Sequence, residues 1–239
     1  MSVDMLVIAA HPDDAEMAAG GLIAKMVQRG HSVGIVDLTA GEMGTRGTSE
    51  QRTRESAAAD EILSIAVREN LGLPDGGLTD SLENRRIVVD AIRRHRPDLV
   101  VAPPLDDLHP DHAAVGRLVA AAHYPSGFAK YETGTPPHRP KAVIHMMNHF
   151  EFMPTFIVDI TDVWETKMAA VRCYGSQLHK DGSSEPWTKV SSPEFLASFE
   201  GRYRHYGSMI GATFGEPFWN ARPAPVIDPI VAYRGEDDR

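Results

Sequence analysis

Two short stretches of the 239-residue chain place imidazoles beside carboxylates. The first is Ala10-His11-Pro12-Asp13-Asp14 and the second is His109-Pro110-Asp111-His112. Each follows an apolar run, Met5 to Ala10 in one case and Leu99 to Pro103 in the other. Imidazole nitrogen with carboxylate oxygen is a ligand set suited to zinc or ferrous iron. A second carboxylate next to such an ion can serve as a general base. His11, Asp14 and one of His109 or His112 would supply three protein ligands and leave a position for water, as in a catalytic zinc site. Alone, the first stretch reads equally well as a polar loop whose carboxylate caps the next helix. The recurrence of His-Pro-Asp after a second apolar run weighs against that plainer reading.

Both stretches need a scaffold that brings them together. Short apolar runs closed by proline read as buried strands. In open α/β sheets ligands bind beyond the carboxyl ends of the strands. If the two strands are neighbours in a parallel sheet, both loops open on the same edge. In chain order the pattern predicts a strand over 3–10, a helix over 16–29 ending at Gly30, and a strand over 31–38. A loop rich in glycine and threonine then runs from Thr39 to Ser49, with Glu42 and Arg46. Ser49 is placed to cap a helix through Ile65. Arg52 and Arg54 in its first turns oppose the helix dipole, which gives Arg52 a reason other than helix stability. A short strand is predicted over 67–71, a helix over 84–95, a strand over 98–102 and a helix over 111–122. Tyr124 to Pro140 reads as a long loop, a lid or a subunit contact. Strands over 141–147 and 155–160 follow, then helices over 162–177 and 192–210 around a polar loop at 178–190. Past Phe214 the chain reads as irregular. The whole is one domain, 1–239, with an irregular tail from about 219. Alternating strands and helices predict an α/β, Rossmann-like three-layer fold with a mostly parallel sheet and helices on both faces. Gly20-Gly21 lacks the G-x-G-x-x-G spacing, so a dinucleotide site is not expected.

Composition narrows the partners. Hydrophobic residues make up 42% of the chain, ordinary for a soluble globular domain. No apolar stretch is long enough to span a bilayer, and no basic segment followed by an apolar one opens the chain, so neither a membrane nor a secretory route is expected. The net charge of −9 disfavours nucleic acid. Cys173 is the single cysteine, which suits a reducing cytoplasm.

The paired motifs resemble the signature of the LmbE-like, or PIG-L-type, metal-dependent N-acetylglucosamine deacetylases. Leu73-Pro74-Asp75-Gly76-Gly77-Leu78, Lys130-Tyr131, Val158-Asp159-Ile160-Thr161 and Tyr174-Gly175-Ser176-Gln177 look most similar to the bacillithiol biosynthesis branch. The likeness covers nearly the whole chain and thins after Phe218. It implies the same Rossmann-like fold and a Zn2+ cofactor, with Fe2+ the other candidate. It implies His11, Asp14 and His112 as metal ligands and Asp13 as general base. His109 would stabilise the oxyanion when protonated, or act as the acid, and Asp111 would orient the His109 ring. Arg52 would contact the substrate, a small amino-sugar conjugate with N-acetylglucosaminyl-malate foremost. Chitooligosaccharide and inositol-linked sugars are the alternatives. A homo-oligomer, trimer or hexamer, is implied as well. The tyrosine that some relatives place at the cleft falls at Phe195. A metal-binding module without activity would need no base, so Asp13 argues against it. A nucleotide-dependent oxidoreductase is disfavoured by the missing glycine fingerprint.

Overall fold

The computed structural model describes residues 2–224. The last residues of the expected irregular tail lie outside them. The centre is β1 (Met5–Ala9), every residue of which is buried. Successive side chains of a strand face opposite ways. Met5, Val7 and Ala9 therefore join one core, and Leu6, Ile8 and Ala10 the other. β1 pairs in parallel with β2 (Val33–Asp37) on one side and β4 (Leu99–Ala102) on the other. β3 (Val67–Asn70) extends the sheet beyond β2, and β5 (Ala142–Met146) beyond β4. With β6 (Phe156–Asp159) and β7 (Gly215–Trp219), the full order is β3-β2-β1-β4-β5-β7-β6. Five parallel strands thus carry the expected fold, and the chain reverses its direction of growth between β1 and β4.

Helices cover both faces. α1 (Asp14–Gln28), α2 (Ser49–Leu63), α5 (Trp164–Arg172) and α6 (Phe195–Ser208) lie on the Met5–Val7 side. α3 (Leu82–His95) and α4 (Pro110–His123) lie on the other. Thr48 rather than Ser49 caps α2, accepting from the Gln51 amide at 3.2 Å.

Two further expectations are corrected. The stretch past Phe214 is not irregular: Gly215–Trp219 forms β7, antiparallel to both β5 and β6 (Phe156–Asp159). Pro217 inside the run and the acid at 216 hid it, since proline donates nothing to a ladder. The helix expected over 162–177 stops at Arg172. Beyond it Ser176 and Gln177 turn aside to bond Glu55 and Arg46.

Glu216 of β7 is fully buried and reaches into the body of α1. Its two oxygens accept from the Gly21 amide at 3.1 Å and the Leu22 amide at 2.6 Å. Lys167 of α5, also fully buried, bonds Glu216 at 2.5 Å and the Met17 carbonyl at 2.7 Å. The Tyr203 hydroxyl donates to the same carbonyl at 2.5 Å. A Cβ at Gly21 would stand 2.6 Å from Ile160 Cγ2, so the glycine lets α1 approach the β6 side closely. The glycine pair is thus a packing device and not a phosphate turn.

Candidate active site

Because β1 and β4 are adjacent, the loops that follow them meet at one edge of the sheet, at the switch point where such folds hold their ligands. Asp14, the first residue of α1, stands between two imidazoles. Its Oδ2 is 3.3 Å from His11 Nδ1 and its Oδ1 is 3.1 Å from His112 Nε2. The far nitrogen of each ring is held by another carboxylate. His11 Nε2 lies 3.0 Å from Asp75 Oδ1 and 3.5 Å from Asp111 Oδ2. His112 Nδ1 lies 3.0 Å from Asp107 Oδ1. Outer carboxylates commonly orient metal-ligating imidazoles in this way.

The electrostatics match. Burial opposes charge on His11, yet Asp111, Asp14 and Asp75 together push its pKa up to about 12. Burial likewise opposes charge on His112, and Asp14 and Asp107 lift it to about 9. Burial would raise Asp14, but His112 and His11 hold it well below the usual carboxylate range. Positive charge is therefore called for at the point between these rings. Two neutral imidazoles and a carboxylate around a divalent cation would meet that demand, so the donor set fits zinc or ferrous iron.

Asp13 occupies the cap position of α1 with φ 115°, a left-handed conformation that side chains rarely adopt. Such strain costs on the order of 1–3 kcal/mol and persists where the surroundings enforce it. Here Arg52 helps to do so. Its guanidinium donates to the Pro12 carbonyl at 3.0 Å and lies 3.5 Å from Asp13 Oδ2. It also donates to Gln177 Oε1 at 2.6 Å, while its Nε is buried without a partner. Burial pushes the Asp13 pKa up to about 7, with Arg52 opposing. A carboxyl in that range suits proton exchange near neutral pH. Arg52 does reach the pocket, but most of its guanidinium is engaged by protein oxygens.

His109 caps α4, and its Nδ1 accepts from the Asp111 amide at 3.3 Å. The neutral ring must therefore carry its proton on Nε2. Burial, and then the charges on His11 and His112, hold its pKa below the usual value, which favours that neutral donor over an imidazolium. The expected contact of the Asp111 carboxylate with His109 is not made. That carboxylate accepts from the Gly76 and Leu78 amides at 2.7 and 3.1 Å and faces His11. At the start of α4 its side chain is drawn to the 76–78 turn, leaving only its backbone for His109.

His11, Asp13, Asp14, Arg52, Asp75, His109 and His112 line a cavity of about 460 Å³. Its outer wall carries Asn148, His149, Lys189, Phe195 and Arg202. Tyr203 lines it too, but its hydroxyl is turned to Met17, so it offers no donor to the cleft. His145 bonds the Pro103 carbonyl at 2.6 Å and lines a separate cleft. Asp75, Asp107, His149 and Gln177 were not singled out as site residues by the sequence. For Asp75 a signal existed in the Leu-Pro-Asp-Gly-Gly turn, and for Gln177 in the Tyr-Gly-Ser-Gln stretch. Asp107 and His149 sit in loops with no local pattern.

Residues 6–123 match the family described as GlcNAc-PI de-N-acetylase, PIG-L. The chain is 33% identical to a diacetylchitobiose deacetylase of Thermococcus kodakarensis, over 89% of this chain and 80% of that protein. It is 30% identical to a 4-oxalmesaconate hydratase of Pseudomonas putida, over 73% and 74%. A conserved protein of Thermus thermophilus superposes with a TM-score of 0.87 at 38% identity, over 95% and 98% of the two chains. The expected nearness to the bacillithiol branch is not supported. A Bacillus cereus protein named "Probable N-acetyl-alpha-D-glucosaminyl L-malate deacetylase 2" is 28% identical over 74% of this chain.

Proposed function

Because the chain belongs to the PIG-L family, we propose that it is a metal-dependent hydrolase that removes the acetyl group from an N-acetylglucosaminyl conjugate. The observation that carries this is the strained Asp13 carboxylate beside the Asp14-bridged pair His11 and His112. A divalent ion held by His11, Asp14 and His112, zinc or ferrous iron, would polarise the acetyl carbonyl and acidify a water. Asp13 would accept a proton from the attacking water and return a proton to the departing amine. His109 donates from Nε2 to the carbonyl oxygen as it gains charge. Asp111 and Asp75 fix His11, and Asp107 fixes His112. Arg52 holds Asp13 in place and contacts the bound conjugate with its remaining N–H.

For the aglycone, N-acetylglucosaminyl-malate is the first compound to try. Lys189 and Arg202 stand on the outer wall, and no carboxylate among the described residues pairs with either. Two such cations suit an acidic aglycone. The relative named as a hydratase favours a second reading, addition of water to an unsaturated polycarboxylate at the same centre. Acetate release from N-acetylglucosaminyl-malate, diacetylchitobiose and free N-acetylglucosamine tests the first reading. Loss of ultraviolet absorbance from an unsaturated dicarboxylate, with no acetate from any amide, would replace it by the second. A cytoplasmic location and a homo-oligomeric state complete the proposal.

A further inference from the structure

His149 has no part in the chemistry above. It follows β5, and its ring stacks on that of His112 with centroids 5.2 Å apart and planes at 17°. Both rings hang from one atom. Asp107 Oδ1 is 3.0 Å from His112 Nδ1 and 2.8 Å from His149 Nδ1. The other oxygen of Asp107 accepts from the His149 and Phe150 amides at 2.8 and 3.3 Å. A carboxylate so surrounded by donors leaves the proton of each ring on Nδ1. With Nδ1 committed to Asp107 in both rings, Nε2 is the acceptor of each. The Nε2 of His112 faces Asp14 at the reacting centre. His149 lines the same pocket one ring further out than His112, with Nε2 left as its acceptor.

We propose that His149 is a specificity residue, whose Nε2 accepts a hydrogen bond from the sugar hydroxyl next to the acetamide. On a 2-acetamido sugar substituted at C1, the hydroxyl flanking the acetamide is at C3. This rests on the deacetylase reading, because the acetamide must lie at His11, Asp14 and His112 for its neighbour to reach His149. The stack on His112 sets the distance, and the shared carboxylate fixes the orientation.

The test compares wild type with His149→Ala and His149→Phe, the second keeping a stacked ring without a nitrogen. The substrates are diacetylchitobiose or N-acetylglucosaminyl-malate, whichever the wild type deacetylates better, and its 3-deoxy analogue. On the parent compound both variants should lose about three- to tenfold in kcat/KM, the size of one neutral hydrogen bond. The wild type should lose the same factor on the 3-deoxy analogue, and the variants no more. Zinc affinity by chelator competition should be unchanged. Equal losses by the variants on parent and 3-deoxy compounds would overturn the assignment. So would a fall in zinc affinity that accounts for the lost activity, since His149 would then act through Asp107 on His112. If the wild type releases no acetate from either parent, the deacetylase reading itself has failed.

Discussion

At the scale of single residues, the two His-Pro-Asp motifs were legible because their chemistry is written in four consecutive letters each. His11, Asp13, Asp14, His109 and His112 all gather at one pocket. Their partners were harder to see. Asp75 and Asp107 become functional only through folding, which carries them to His11 and His112 from other loops. The expected bond between Asp111 and His109 failed because the Gly76 and Leu78 amides, brought up by another loop, take the Asp111 carboxylate. Two outcomes follow for the centre. His112→Ala should lose bound metal and acetate release together, and full metal occupancy in that variant would remove His112 from the ligand set. Asp13→Asn should keep the metal, measured by elemental analysis, yet lose about 10²–10⁴-fold in turnover, since an amide cannot take the proton. Arg52 braces the Asp13 loop more than it is placed to grip an acidic aglycone. With Pro12, Asp13 and Gln177 on its guanidinium, Arg52→Ala should lower kcat for acidic and neutral N-acetylglucosaminides alike. A selective rise in KM for the malate conjugate would instead make Arg52 a contact for the aglycone carboxylates.

At the scale of elements, the strands that carry the site were plain in the sequence. β1 and β4 are apolar, closed by proline and fully committed to the sheet. β7 was not plain, because its five residues include a proline and a fully buried glutamate. That glutamate explains itself only in three dimensions. With Lys167 it joins β7 and α5 to the middle of α1, the helix that begins at Asp14. Burial disfavours the Lys167 charge, and Glu216 and Tyr203 together more than restore it, raising its pKa. Breaking such a pair leaves an unpaired buried charge and typically costs about 3–5 kcal/mol. Lys167→Met should therefore lower the urea midpoint sharply, and Lys167→Met with Glu216→Gln should recover part of the loss. If the single variant unfolds at the wild-type urea concentration, the pair contributes nothing net to stability. The same α1 segment supplies Met17 and Ala18 to the pocket wall, so the pair also sets the floor of the site.

At the scale of the whole molecule, a three-layer fold leaves its loops to do the binding, and here those loops are also where apolar surface remains exposed. Leu105 and Leu108 follow β4, Phe150 and Met153 follow β5, and Leu108 and Met153 are 64% and 79% exposed. Leu105 and Phe150 line a common cleft beside Trp219. In the 124–140 segment Tyr124 and Phe128 pack edge to face and stay largely exposed. Arg93 anchors that segment by donating to the Ser126, Phe128 and Tyr131 carbonyls, so it is held in shape rather than free to close as a lid. A chain of net charge −9 gains nothing from self-association through charge. For the homo-oligomer proposed above, apolar contact is the better driving force, and these loops offer it. Light scattering at micromolar concentration should accordingly give a trimer or hexamer of the 26.2 kDa chain. Leu108→Glu with Met153→Glu should shift it toward monomer while leaving the fold intact by circular dichroism, because both side chains face solvent in the single chain. A monomeric wild type would sink the oligomer. An oligomer that survives both substitutions would move the contact elsewhere on the surface, away from the β4 and β5 loops.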